Sequence, residues 1–228
     1  MINLTAIVPF YNEGNTLRQS VQRLLNEDIF SEIILSDDNS NDRSLEIAET
    51  FSDDYEHIKL ISSDKNLGKG NAITNAVSIL NTSHVVIHDA DLEYFPADIV
   101  KMYKKALVNQ NSLILGSRFI GSNHRENVYL RTYVANRVIS TFFSLVNFYW
   151  VSDVATCYKL MPSNFLKNIS IKEQGFSIEI EMLSKFLKHN KHILEVPISY
   201  EGRSYEEGKK IKIIDGFKYL FAILKYKF

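Results

Sequence analysis

Val85-Val86-Ile87-His88-Asp89-Ala90-Asp91-Leu92-Glu93 is a short apolar run that stops abruptly in three carboxylates. An unbroken apolar run of this length, without the alternation of a half-exposed strand, reads as a strand buried on both faces. Upstream, residues 72–80 have helical spacing and residues 57–62 read as another strand. Downstream, Pro96 suits the first turn of a helix reaching residue 108, and Leu113-Ile114-Leu115 follows as a strand. The alternation extends back to the start of the chain. Residues 4–8 form a strand ending at Pro9, and residues 15–26 carry Leu17, Val21, Leu24 and Leu25 on one helical face. Residues 33–35 are a second strand, followed by a helix over 45–51 that Asn41 or Asp42 would cap. Such alternation predicts an α/β fold with a mostly parallel central sheet and helices on both faces.

The second half is less regular. Residues 128–149 read as a long helix, 154–160 as a strand and 176–189 as a helix. Residues 192–196 read as a strand stopped by Pro197, and 211–226 as a last helix. No linker-like stretch separates the halves, so residues 1–228 are expected to form a single domain. The longest run free of Asp, Glu, Lys, Arg and His, 138–152, has 15 residues, short of the roughly 20 needed to span a bilayer.

Composition narrows the possibilities. With 45% hydrophobic and 23% charged residues, 9 Gly, 4 Pro and no low-complexity run, the chain is neither disordered nor collagen-like. Its one cysteine, Cys157, excludes an intrachain disulfide and zinc sites built on paired cysteines. The first residues lack the basic start of a signal peptide. Together these features predict a reducing, cytoplasmic setting. The six histidines show no ligand spacing. The net charge of −1 hides a split: residues 1–111 carry 9 Lys and Arg against 17 Asp and Glu, whereas residues 112–228 carry 17 against 10. The basic second half would suit nucleic acid, an anionic membrane or a phosphorylated substrate. No aromatic signature of RNA binding accompanies it, so no nucleic-acid partner is expected.

In open parallel sheets, ligands bind beyond the carboxyl ends of the strands. Polar residues collect there in four successive loops: Pro9-Phe10-Tyr11-Asn12-Glu13, Asp37-Asp38-Asn39-Ser40-Asn41-Asp42, Asn66-Leu67-Gly68-Lys69-Gly70 and Asp89-Ala90-Asp91-Leu92-Glu93. A single Asp after a strand is an ordinary turn former or cap; four such loops at one sheet edge outline a site. Gly68-Lys69-Gly70 lacks the Lys-Ser/Thr ending of a P-loop, and no G-x-G-x-x-G follows the first strand.

These four loops, with Ser36 before the second and Gly116-Ser117-Arg118 after the last, resemble the ordered motifs of family 2 glycosyltransferases with the GT-A fold. The nearest branch resembles the dolichyl- or polyprenyl-phosphate sugar transferases. Residues 153–159, Gly175-Phe176 with Glu179 and Glu181, and residues 205–210 extend the resemblance over nearly the whole chain.

The resemblance implies an inverting transferase that uses a nucleoside-diphosphate sugar and Mg²⁺ or Mn²⁺. Residues 1–111 would then form the nucleotide-sugar half and residues 112–228 the acceptor half. Pro9, Tyr11 and Glu13 would line the nucleotide, Asp38 would hydrogen-bond the base, and Lys69 would approach the nucleotide. Asp89, Ala90 and Asp91 form the D-x-D element, with Asp89 facing the ribose or a metal-bound water and Asp91 the metal. Glu93, where the branch typically has Gln, would be a third metal ligand. Arg118 and Arg131 match positions that bind an acceptor phosphate, and Arg203 lies in a loop able to close over the site. Asp91, Asp153 and Arg118 would carry catalysis.

The acceptor decides the mechanism. A lipid phosphate is already ionised and needs cations, which Arg supplies through its planar fork. A sugar hydroxyl needs a general base, for which Asp153, Glu179 and Glu181 are candidates and Asp153 is preferred from its motif position. The expected partners are a nucleotide-sugar donor, a polyprenyl phosphate and the cytoplasmic face of a membrane, met peripherally. A homo-oligomer or a membrane-protein partner stays open. Phe217, Leu220, Phe221 and Leu224, spaced on one face among six lysines in residues 209–228, suggest an interfacial helix; packing on the core is the alternative. Two other functions remain: transfer to a saccharide hydroxyl in surface-glycan assembly, or non-catalytic binding of nucleotide sugars at a membrane.

Overall fold

A computed structural model describes residues 2–121, 124–126, 129–189, 192–203 and 213–227. Strand β1 (Leu4–Phe10) is buried along its whole length because it has neighbours on both sides. It pairs in parallel with β2 (Phe30–Asp37) and with β4 (His84–Ile87), Ala6 lying opposite both Ile33 and Val86. Beyond β2 lies β3 (Ile58–Ser62), also parallel. Helices α1 (Leu17–Leu25), α2 (Ser44–Asp54), α3 (Lys69–Ser78) and α4 (Pro96–Leu107) alternate with these strands. The buried face of α1 is Leu17, Ser20, Val21 and Leu24, and Asp42 accepts the Ser44 N–H at the start of α2 (2.9 Å).

The far side of the sheet departs from the parallel pattern. Strand β7 (Lys159–Pro162) runs antiparallel between β4 and β5 (Leu113–Ser117), and β8 (Ile193–Pro197) pairs in parallel with β5. The sheet order is β3-β2-β1-β4-β7-β5-β8. Of the strand expected over 154–160, only Lys159 and Leu160 join the sheet. Val154 and residues 156–158 are buried, and Ala155 half-buried, without a ladder. Side chains take the place of strand partners there: the Val154 N–H donates to Ser140 Oγ and the Cys157 N–H to Tyr94 Oη. Burial kept the segment apolar and so made it look like a strand.

Helix α5 (Leu130–Asn147) ends at Phe148, which adopts a left-handed conformation (φ 52°). The short helix α6 (Ser163–Asn168), α7 (Ile178–His189) and α8 (Ile213–Lys227) complete the helices. A separate parallel pair joins β6 (Arg125–Glu126) to β9 (Tyr200–Glu201). Helix α8 packs against α5 and α7 with Tyr219, Ala222, Ile223 and Tyr226 buried. The stripe expected to face a membrane is therefore only partly outward: Leu220 is half-buried, while Phe221 and Leu224 are exposed. The motif over 205–210 and the Phe217 side chain lie outside the described residues. No helix among the described residues is long and apolar enough to cross a membrane.

Candidate active site

The loops after β1, β2, β3 and β4 converge on one cavity of about 460 Å³. Tight reversals bring them there. Asn12, Asn39 and Leu92 all have positive φ (53°, 64° and 66°). Asparagine tolerates that region, but for Leu92 it is strained. The bend turns Asp91 back so that its Oδ1 accepts the Glu93 N–H at 3.2 Å.

Pro9, Tyr11, Glu13, Asp38, Lys69, Asp89, Ala90, Asp91, Glu93, Arg118, Arg131 and Arg203 all line this cavity. Asp153 does not. It is fully buried behind Arg118, where its two oxygens take Arg118 Nε (2.7 Å) and Nη2 (2.8 Å), and Oδ2 also accepts the Arg118 N–H. Arg118 further lies 5.0 Å from the Tyr200 ring centre.

The other base candidates are equally engaged. Glu179 lines the cavity but holds Lys69 at 2.9 Å and the fully buried Lys159 at 2.5 Å. Glu181 lies off the cavity wall, accepting the Lys172 and Glu173 N–H groups and pairing with Lys185. Lys69 completes a buried relay by reaching Asp89 at 2.7 Å. Burial works against its charge, but Asp89 and Glu179 more than offset this and keep the ammonium protonated. His88 is no base either. Buried between Ser20 and Tyr158, it is held neutral, its pKa lowered to about 4 by desolvation.

The glycines of the third loop have a structural use. A Cβ on Gly70 would stand 1.9 Å from the Glu173 carbonyl oxygen, and one on Gly68 (φ +97°) 2.4 Å from that of Gln174. Both positions let the segment before α7 press onto the first turn of α3, where the Gly70 N–H donates to Gln174 O at 2.9 Å. Asp38 fixes the same loop by accepting the Leu67 and Gly68 N–H groups (3.1 and 2.6 Å).

Arg203 sits among three carboxylates: Asp91 at 3.1 Å, Glu13 at 3.5 Å and Glu93 at 3.8 Å. Its Nε is buried without a hydrogen-bond partner. Glu93 also accepts from Tyr200 Oη (2.7 Å) and from the Arg203 N–H (2.9 Å). The expected metal trio is thus dispersed: Asp89 faces Lys69, while Asp91 and Glu93 face Arg203. Among the described residues, no three Asp, Glu, His or Cys side chains gather into a group able to hold an ion.

Positive charge is still short. Burial and the neighbouring Glu93 and Asp89 push the Asp91 acid up to about 8, although Arg203 works in the opposite direction. A carboxyl whose native pKa is raised holds a proton that the unfolded chain gives up, so stability falls as pH rises between the two values. In cation-free buffer the urea midpoint is therefore expected to drop between pH 5 and pH 8, and to drop less in Asp91→Asn. A midpoint equally flat in both proteins would contradict this electrostatic picture.

Comparison with known proteins gives the family and the fold. The sequence profile of Glycosyl transferase family 2 matches residues 5–170, which include the loops after β1 to β4. The chain belongs to glycosyltransferase family 2. Among curated relatives, this family 2 chain is 24% identical to the dolichol-phosphate mannosyltransferase of Pyrococcus furiosus, over 99% of its own length and 65% of that protein's. It is also 24% identical to the UDP-N-acetylglucosamine–dolichyl-phosphate N-acetylglucosaminyltransferase of Methanococcus voltae, over 97% of its own length and 94% of that protein's. Its fold is GT-A. The glucosyl-3-phosphoglycerate synthase of Mycobacterium tuberculosis, crystallised with Mn²⁺, UDP and product, superposes with a TM-score of 0.74. That likeness covers 99% of this chain and 80% of the other at 14% identity.

Several residues of the site escaped the sequence reading. Tyr94, Cys157, Phe176, Tyr200 and Tyr219 also line the cavity. Only Cys157 and Phe176 fell within quoted motifs, and neither carried a signal of its own.

Proposed function

We propose that this glycosyltransferase moves one sugar, with inversion, from a nucleoside diphosphate to the phosphate of a polyprenyl phosphate at the cytoplasmic face of a membrane. One observation carries the choice of acceptor. Asp153, Glu179 and Glu181, the carboxylates suited to deprotonating a hydroxyl, are all committed to Arg or Lys partners. A phosphate acceptor needs no base. It needs cations, and the cavity wall offers Arg118 and Arg131. The names of the Pyrococcus and Methanococcus relatives support the same acceptor class.

In this reading the first half of the chain holds the donor. Tyr11 and Asp38 take the base, Asp89 the ribose, and Lys69 keeps Asp89 in place. A hard divalent cation fits beside Asp91, whose raised pKa marks unneutralised carboxylate charge. Mg²⁺ or Mn²⁺ is typically held by one or two carboxylates together with substrate phosphates, so a protein-only cage is not required. Asp91 would be the main ligand, with Glu93 and Asp89 beside it, and the ion would supply neutralisation of charge on the departing diphosphate. The Mn²⁺ and UDP in the mycobacterial synthase support this assignment. Arg203 would meet the acceptor phosphate together with Arg118 and Arg131.

Arg131 is exposed at the first turn of α5 and lines the cavity. Arg131→Ala is expected to raise the KM for polyprenyl phosphate by about 10- to 100-fold, the worth of one charge-assisted contact, with donor binding unchanged. Unaltered acceptor kinetics would favour a hydroxyl acceptor instead.

A further inference from the structure

Nine of the fifteen large apolar side chains exposed among the described residues lie on α5, on the turn that follows it, or on α8. Leu130, Val134, Val138 and Leu145 occupy one arc of about 80° on α5 at 3.6 residues per turn. This arc is opposite the buried Ile139 and Phe143. Leu130 is 75% exposed and Leu145 66%. The helix then stops on Phe148, which is 90% exposed in a left-handed conformation, and Trp150 follows at 63%. Two large aromatics are thus presented to solvent at the end of an apolar stripe.

Charge identifies the occupant. Residues 129–152 contain Arg131 and Arg137 and no Asp or Glu. Helix α8 packs alongside, exposing Phe221 beside Lys218, and Lys227 stands 5.3 Å from the Phe148 ring centre. Two copies meeting through this face would bring the arginines and lysines together with no carboxylate on α5 to pair them. An anionic surface with an apolar interior matches both properties.

We propose that the outer face of α5, with Phe148 and Trp150, docks on an anionic lipid bilayer, α8 contributing lysines at its rim. The proposal deepens the acceptor reading above and rests on it. Leu130 faces outward while its neighbour Arg131 lines the cavity, so a lipid phosphate at headgroup depth would lie one residue from the membrane-facing stripe.

Trp150 is the only tryptophan in the chain, so its emission reports on this face without a label. The full chain is titrated at low salt with vesicles of phosphatidylcholine, with and without phosphatidylglycerol. The expected result is a blue shift of Trp150 and quenching by brominated acyl chains, with binding about tenfold or more tighter when phosphatidylglycerol is present. The double variant Val138→Ser/Leu145→Ser, altered away from the cavity, is expected to lose this binding while keeping its thermal shift with UDP and Mn²⁺. The proposal is overturned if anionic vesicles leave Trp150 emission unmoved, or if a folded double variant binds as the parent does. It is also overturned if the blue shift arises without lipid as the chain dimerises. A short water-soluble polyprenyl phosphate separates the two readings: transfer to it without vesicle binding defeats only the docking surface, and vesicle binding without transfer defeats only the acceptor assignment.

Discussion

Asp91→Asn is expected to abolish sugar transfer and leave the fold standing. The residue is at the tip of β4, outside the hydrophobic core, and its contacts are the Glu93 N–H and Arg203. Asparagine keeps the shape and can still accept the Glu93 N–H. It removes the charge on which, in the proposed reading, a cation beside the diphosphate would depend. Losing several kcal/mol of charge stabilisation in the transition state corresponds to roughly a thousandfold or more in rate. A merely structural role for Asp91 predicts the reverse, a weakened fold with turnover retained. Turnover and a urea midpoint measured on one preparation tell these apart, and near-normal turnover would refute the assignment.

Asp153→Ala is expected to have the largest effect on stability. Asp153 is fully buried, and its partner Arg118 is nearly so. The pair exchanges two side-chain hydrogen bonds, and the Arg118 N–H adds a third. Removing the carboxylate strands a guanidinium away from water, a change that costs about 3–5 kcal/mol. Most domains have only about 5–15 kcal/mol in all. Denaturant unfolding should register the loss directly, and a change below about 1 kcal/mol would show that Arg118 finds another partner or reaches solvent. Folded variant protein should also lose acceptor binding, since Arg118 is oriented through Asp153.

The contrast between these two aspartates shows what the sequence could reveal. Asp91 follows a buried apolar strand, and a carboxylate at such a strand end announces itself through local pattern alone. Asp153 carries no local signal of its role: its partner is 35 residues away, and only the fold brings them together. Lys159 and Glu179 are similar, both reading as members of short motifs while acting as the hidden end of a relay to Lys69 and Asp89. The first half was legible because strands β1, β2 and β4 are buried over most of their length and, like the half-buried β3, end in polar loops. The antiparallel β7 was not, because orientation leaves no mark in four residues. Gly68 and Gly70 stood in the sequence only as members of a polar loop around Lys69; the structure uses them to admit the Glu173 and Gln174 carbonyls, a contact over a hundred residues long in sequence. Arg203 was placed in a closing loop on resemblance; its seat among Glu13, Asp91 and Glu93 comes from the structure.

The most direct measurement is the bond that the enzyme makes. Purified chain is incubated with Mn²⁺, UDP- or GDP-linked radiolabelled sugars and a short-chain polyprenyl phosphate. The products are then tested for lability to mild acid. Transfer to phosphate predicts a sugar phosphodiester that releases free sugar under mild acid, formed with wild-type protein and absent with Asp91→Asn. An acid-stable glycoside on an added saccharide, with no lipid-phosphate product from a donor that binds, would contradict it.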